Sequence, residues 1–253
     1  MTPRLQWIDA LRGYAIVGVI GAHLGLIPNG ARGVQLFFLA SAISLLHSWH
    51  NRKDGAAYFY VRRFFRIAPM FYLSIPAFIW LKSTAGAAPT AMQIGATVTG
   101  LFWITPDWQN SVVPGSWTIA CEVLFYSIFP LLAERLDTFK KSLLALGGSI
   151  AVAALAWPLL TAYAGKMGAD SAFARNIFAF VFITTQLPCF LAGFCVYFAA
   201  SSQRIARLCG AAGTAFMLAA ILWPPQSSAF YIAFAASFAL ITYSLSNGLL
   251  LVQ

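Results

Sequence analysis

About nine mostly apolar segments follow one another along this chain, each near the ~17–25 residues that a helix needs to cross a bilayer. Lipid offers no partner to backbone N–H and C=O groups, so segments of this length cross as helices. They are read at about 9–27, 33–48, 91–105, 116–132, 142–163, 177–200, 208–223 and 228–246, with a further one running from the basic cluster at Arg62 through Pro69 to Lys82. The expected fold is all-α, a polytopic transmembrane helix bundle of about nine spans. No linker or polar insert divides the segments, so residues 1–253 are expected to form a single integral-membrane domain.

Composition agrees with that reading. Charged residues make up only 9% of the chain and hydrophobic ones 60%, whereas soluble domains carry about 25% charged residues. The net charge of +9 does not point to nucleic acid, because the basic residues sit in short loops where they set topology and meet lipid headgroups. Cys121, Cys189, Cys195 and Cys209 have no metal-ligand spacing and read as small buried residues, with no disulfide framework and no metal site. The N-terminus carries Asp9 and Arg12 at the start of its apolar stretch and lacks a clean cleavage site, so it should remain as the first span.

Loop charges fix topology only in part. Arg4, Arg52, Lys53, Arg62 and Arg63 place the N-terminus and the loop after the second span in the cytoplasm. Arg135, Lys140 and Lys141 should be cytoplasmic too, yet three spans after Lys53 predict the other side. Either the weak segment at 91–105 does not cross or the rule is broken; both alternatives stand at this level.

Three groups of polar residues interrupt the apolar background. Arg12 and His23 lie eleven residues apart in the first span, which places them on one helix face about 16 Å apart. A histidine that deep in an apolar segment is expected to face protein or a wet cavity, and such residues are more often functional than structural. Asp9, three residues before Arg12, reads as that arginine's partner. Arg63 and Arg66 share a face and could grip a phosphate or carboxylate, while Arg62 reads as a positive-inside anchor. Glu122 sits early in an apolar segment and needs a cation or a proton.

Taken in order, these stretches resemble the acyltransferase-3 family of integral-membrane O-acyltransferases. The opening Asp9-x-Leu11-Arg12-Gly13 with His23 downstream is similar to the family's start. So are Gly33-Val34-Gln35-Leu36-Phe37-Phe38, Arg63-Phe64-Phe65-Arg66-Ile67-Ala68-Pro69, and Ser116-Trp117-Thr118 through Glu122 to Phe125-Tyr126. Beyond Lys140 the likeness is mostly hydropathy, with Leu187-Pro188-Cys189-Phe190-Leu191-Ala192-Gly193 as an echo. Gln35 stands where the family often has an acidic residue, so no carboxylate role passes to it. The family usually has ten spans, and the chain is accordingly expected to be incomplete at its C-terminal end.

What the resemblance implies is transfer of an acyl group, acetyl as the expected one, from acyl-CoA to a hydroxyl on a saccharide or glycolipid of the cell envelope. No bound cofactor is expected; acyl-CoA is a co-substrate. His23 becomes the candidate general base with Glu122 beside it in the catalytic set, Arg12, Arg63, Arg66 and Trp117 the candidate donor-binding residues, and Asp9 a structural partner. The expected location is the inner (plasma) membrane, multi-pass. A transporter or flippase that uses His23, Glu122 and the arginines as a proton or anion path is the competing reading, although neither inverted repeats nor paired interrupted spans are visible.

Overall fold

A computed structural model of the protein describes residues 6–26, 32–52 and 55–199, and further along 207–209, 211–213, 215, 236 and 238–244. Among the described residues there are eight helices and no strand: α1 (Gln6–His23), α2 (Gly33–Asn51), α3 (Ala56–Thr84), α4 (Ala91–Val98), α5 (Ser116–Arg135), α6 (Phe139–Lys166), α7 (Ala172–Val181) and α8 (Ile183–Phe198). The all-α expectation holds. The segments expected at 208–223 and 228–246 lie for the most part outside the described residues.

Among the described residues, three helices are long and apolar enough to cross a membrane: α3, α5 and α6. A fourth crossing is available if α7 and α8 count as one span, bent by 41°. The bend falls at Phe182, whose backbone is extended (φ −75°, ψ 145°) where the hydropathy pattern predicts a single helix over 177–200. α3 has 29 residues and so is about 43 Å long, exceeding a hydrocarbon core of about 30 Å.

The expected span at 91–105 does not form. α4 has eight residues, about 12 Å, and cannot cross. Thr90 and Gln93 start it with a reciprocal capping box. Gly100 ends it at φ 76°, a conformation that only a residue without Cβ adopts cheaply. The Leu101 and Gly100 amides then donate back to the Ala96 and Thr97 carbonyls, which closes the helix. That is the first of the two alternatives left open by the loop charges, a segment at 91–105 that does not cross. The Tyr60 hydroxyl near the start of α3 donates to the Ser127 carbonyl in the second half of α5, while Phe71, further along α3, shares a core with Ala120 near the start of α5, so the two run antiparallel.

The chain divides into two compact units, one of residues 1–53, 131–153 and 186–253, the other of 54–130 and 154–185. In the first, α2 is surrounded by protein. Its buried residues run from Gln35 through Phe38–Ile43 to Leu45 and Leu46, and Phe38 stacks on Phe190 of α8 with ring centres 4.6 Å apart. Gly193 lets α8 approach closely: a Cβ there would sit 2.7 Å from the Leu39 carbonyl oxygen and 2.8 Å from the Ala42 Cβ. Gly33, at the start of α2, is pressed against the Ala15 carbonyl of α1 in the same way. In the second unit, Phe59 of α3 stacks on Phe129 of α5. Phe71 and Ile75 of α3 form a core with Ala96, Phe102, Val112, Val113 and Ala120, so the 99–115 loop folds back onto the helices. The Lys82 ammonium holds that loop by donating to the Asn110 and Ser111 carbonyls.

Candidate active site

The candidate residues fall into two groups, one in each unit. Asp9, Arg12 and His23 all belong to α1, in the first unit. Ile8, Leu11, Ala15 and Gly21 are buried, and Arg12 lies half-buried beside Leu11 with its guanidinium 5.9 Å from the centre of the Phe37 ring. Asp9 is half-buried one turn earlier.

His23 corrects the sequence reading. It is the last residue of α1 and is exposed, whereas the apolar run through Ile27 placed it deep inside a span. The cause is Gly25, which takes φ 69° and lets the Gly25 and Leu26 amides return to the Ala22 and Gly21 carbonyls. The ring is nonetheless oriented. Nδ1 lies 2.7 Å from the Val19 carbonyl oxygen, one turn back. A carbonyl only accepts, so Nδ1 carries the hydrogen and the Nε2 of the neutral ring keeps its lone pair. This is the tautomer a base needs.

The second group is assembled by α3 and α5. Arg63 packs against a pair of aromatic rings that meet edge to face, its guanidinium carbon 5.6 Å from the centre of Phe59 and 5.8 Å from that of Tyr126, with the two rings 6.1 Å apart. Phe59 precedes Arg63 by one turn of α3, and Tyr126 follows Glu122 by one turn of α5. The Tyr126 hydroxyl is within hydrogen-bonding reach of both the Glu122 carboxylate and the Arg63 guanidinium. Arg66 is exposed, yet close enough for its charge to act on Arg63 and Tyr126. Tyr126 stands ten residues into the twenty of α5, so this cluster of two cations, a carboxylate and a phenol sits near mid-helix. Ionic groups at that depth are costly unless paired, and here they are gathered around one hydroxyl.

A cavity of about 470 Å³ opens beside this cluster, lined by α3, α5 and the start of the 99–115 loop. Arg63, Tyr126 and Tyr60 lie at its wall; Phe71, Phe102, Trp103 and Ile119 give it an apolar interior.

A family model described as an acyltransferase domain, that of the acyltransferase-3 family, matches residues 5–252. The chain belongs to that family. No curated protein and no solved structure matches it. As an acyltransferase-3 protein it is a membrane enzyme that moves an acyl group from a donor to an acceptor.

Against that assignment the seven candidate residues divide unequally. Arg63, Arg66 and Glu122 are brought together. Trp117, in the first turn of α5, is half-buried, with its ring 6.0 Å from Phe180 of α7. Asp9, Arg12 and His23 share α1. Two further polar residues escape the sequence reading of the site. Tyr126 is legible from its spacing, four residues after Glu122 and on the same face. Gln186 is not, because only folding brings it to Gln35: the Gln35 Nε2 donates to the Gln186 Oε1 at 3.3 Å, and both side chains are buried.

Proposed function

We propose that this acyltransferase moves an acyl group from acyl-CoA to a hydroxyl of a saccharide or related envelope acceptor, working as a multi-pass protein of the inner membrane. The observation that carries the reading is the Arg63–Tyr126–Glu122 cluster beside an apolar cavity, in a chain whose family match covers 5–252.

In the proposed reaction the acceptor O–H loses its proton to the Nε2 of His23 as its oxygen attacks the thioester carbonyl carbon. The C–S bond then breaks, and the CoA thiolate leaves and takes the proton from the imidazolium. The Val19 carbonyl supports this role by holding Nδ1–H in place. Arg63 and Arg66 supply positive charge to the donor, and Arg12 provides a further cation for its phosphates. Glu122 balances the arginines and holds the Tyr126 hydroxyl. Trp117 contributes an aromatic surface to the donor's site, and Asp9 keeps Arg12 in place.

The test is acyl transfer from labelled acyl-CoA by the purified full chain. His23→Gln should lower the rate by roughly 10²–10⁴-fold, the usual contribution of a general base, with insertion unchanged. His47→Ala should be nearly silent. His50→Ala should cost some stability only, because its ring stacks on Tyr197. Near wild-type transfer by well-folded His23→Gln would remove the base assignment.

A further inference from the structure

An acetyl group would leave most of a 470 Å³ cavity empty. Pockets of about 300–1,000 Å³ typically enclose whole drug-sized ligands. The cavity has two unlike ends. Among the described residues, Arg63 is the only ionic side chain on its wall, and the remainder of the lining is almost entirely aromatic or aliphatic. The Nε of Arg63 is buried and has no hydrogen-bond partner, although the guanidinium packs against two rings. The Tyr60 hydroxyl at the same end is already committed to the Ser127 carbonyl. Phe64 and Val123 on the rim are exposed, which leaves an entrance.

One donor group of a fixed guanidinium beside a hydrocarbon-lined hollow matches a carbonyl followed by an apolar chain. We infer that this cavity binds the hydrocarbon tail of an acyl donor longer than acetyl, with the thioester carbonyl at Arg63. The inference rests on the acyl-CoA reading above and deepens it by naming the donor class. It differs from the acetyl group expected from the family resemblance. Tail length should matter because each methylene removed from water improves affinity by up to about fourfold.

The experiment measures binding rather than turnover, with the full chain in nanodiscs of one phospholipid. CoA, acetyl-CoA and octanoyl-CoA are compared for wild type, Ala120→Phe and Val123→Trp. Ala120 is buried in the wall, so the larger ring fills the interior; Val123 sits on the exposed rim and tolerates a large side chain without repacking the core. Octanoyl-CoA should bind wild type at least tenfold tighter than acetyl-CoA. Both variants should lose that preference and keep their affinity for CoA. Equal affinity of wild type for the two acyl-CoAs overturns the assignment, as does a preference that survives both substitutions. Failure of CoA itself to bind overturns the donor reading instead, so the two failures differ. A second arm places the same diazirine near the tail of octanoyl-CoA and of phosphatidylglycerol. Labelling of 119–124 by the acyl-CoA supports the proposal. Labelling by the phospholipid that excess octanoyl-CoA does not displace means a bilayer chain occupies the cavity, and overturns it.

Discussion

Gln35 on α2 and Arg63 on α3 each place a polar side chain within an apolar helix, and their surroundings differ in kind. Gln35 is 2% exposed and meets Gln186, itself 1% exposed, through a neutral amide hydrogen bond between two helices whose neighbouring buried residues are apolar. Arg63 is half-buried, carries charge, and stands on the wall of a cavity next to a phenol and a carboxylate. The amide pair is closed to solvent: both side chains are buried, including the Gln35 Oε1 that is left without a hydrogen-bond partner. The arginine cluster is open, with hydrogen-bonding capacity left over toward a space large enough for a ligand. Polarity inside an apolar helix thus occurs in two settings, a buried amide pair between packed helices and a charged cluster on the wall of a cavity.

The comparison breaks most visibly if the open cluster can be neutralised without effect. Replacing Arg63 and Arg66 by Gln should weaken acyl-CoA binding by about tenfold or more for each charge-assisted hydrogen bond removed. The residual binding should also be less sensitive to salt, because fewer charge interactions with the donor remain to be screened. Binding isotherms at two ionic strengths check both. Unchanged affinity in correctly inserted protein would return these arginines to topology and remove the contrast with Gln35.

The closed pair should behave in the reverse manner, with an effect on stability and little on rate. Gln35→Leu leaves the Gln186 amide facing an apolar wall, at a cost of about 1–3 kcal/mol for an unsatisfied buried group. Gln35→Leu with Gln186→Leu together should recover most of that loss, since a hydrogen bond between side chains in a membrane protein is worth only about 0.6 kcal/mol on average. Thermal melting of the four proteins closes the cycle. Transfer rates per folded molecule should stay near wild type throughout; a rate loss in the double variant that stability does not explain would move Gln35 into the active site.

The sequence discloses the helices better than their ends. α2, α5 and α6 start or stop within a few residues of the apolar runs, because hydropathy reports the segment directly. Hydropathy overestimates α4 because the apolar residues of 99–105 continue its pattern while Gly100 turns the chain away. It places His23 too deep for the same reason: Gly25 reads as one more small residue of a helix face, and its role as a stop appears only in its backbone angle. Hydropathy also cannot separate burial in protein from burial in lipid. α2 and α3 are both apolar, yet nine residues of α2 are buried against four in the longer α3. Of the site, local spacing exposes Arg63 with Arg66 and Glu122, since these lie within single helices. The Gln35–Gln186 hydrogen bond joins residues 151 positions apart, and no local pattern carries it.

The smallest effect is expected where a polar pair is neither closed nor open but solvated. Lys141 meets Asp137 one turn away at 2.8 Å, and both side chains are more than half exposed. The hydrogen bond from Lys141 holds the Asp137 carboxyl below its ordinary value, with the lysine's charge acting in the same direction. A depressed carboxylate contributes stability above its unfolded value of about 3.9 and loses it as pH falls through the folded value. Water and salt screen this pair, so the contribution is slight. Asp137→Asn should therefore melt within error of wild type at pH 7, and any difference should disappear in high salt and below about pH 3. A clear loss of Tm at neutral pH that salt does not reduce would show that Asp137 acts through something other than Lys141, such as the amides at the start of α6, where Thr138 already accepts from Lys141 N–H.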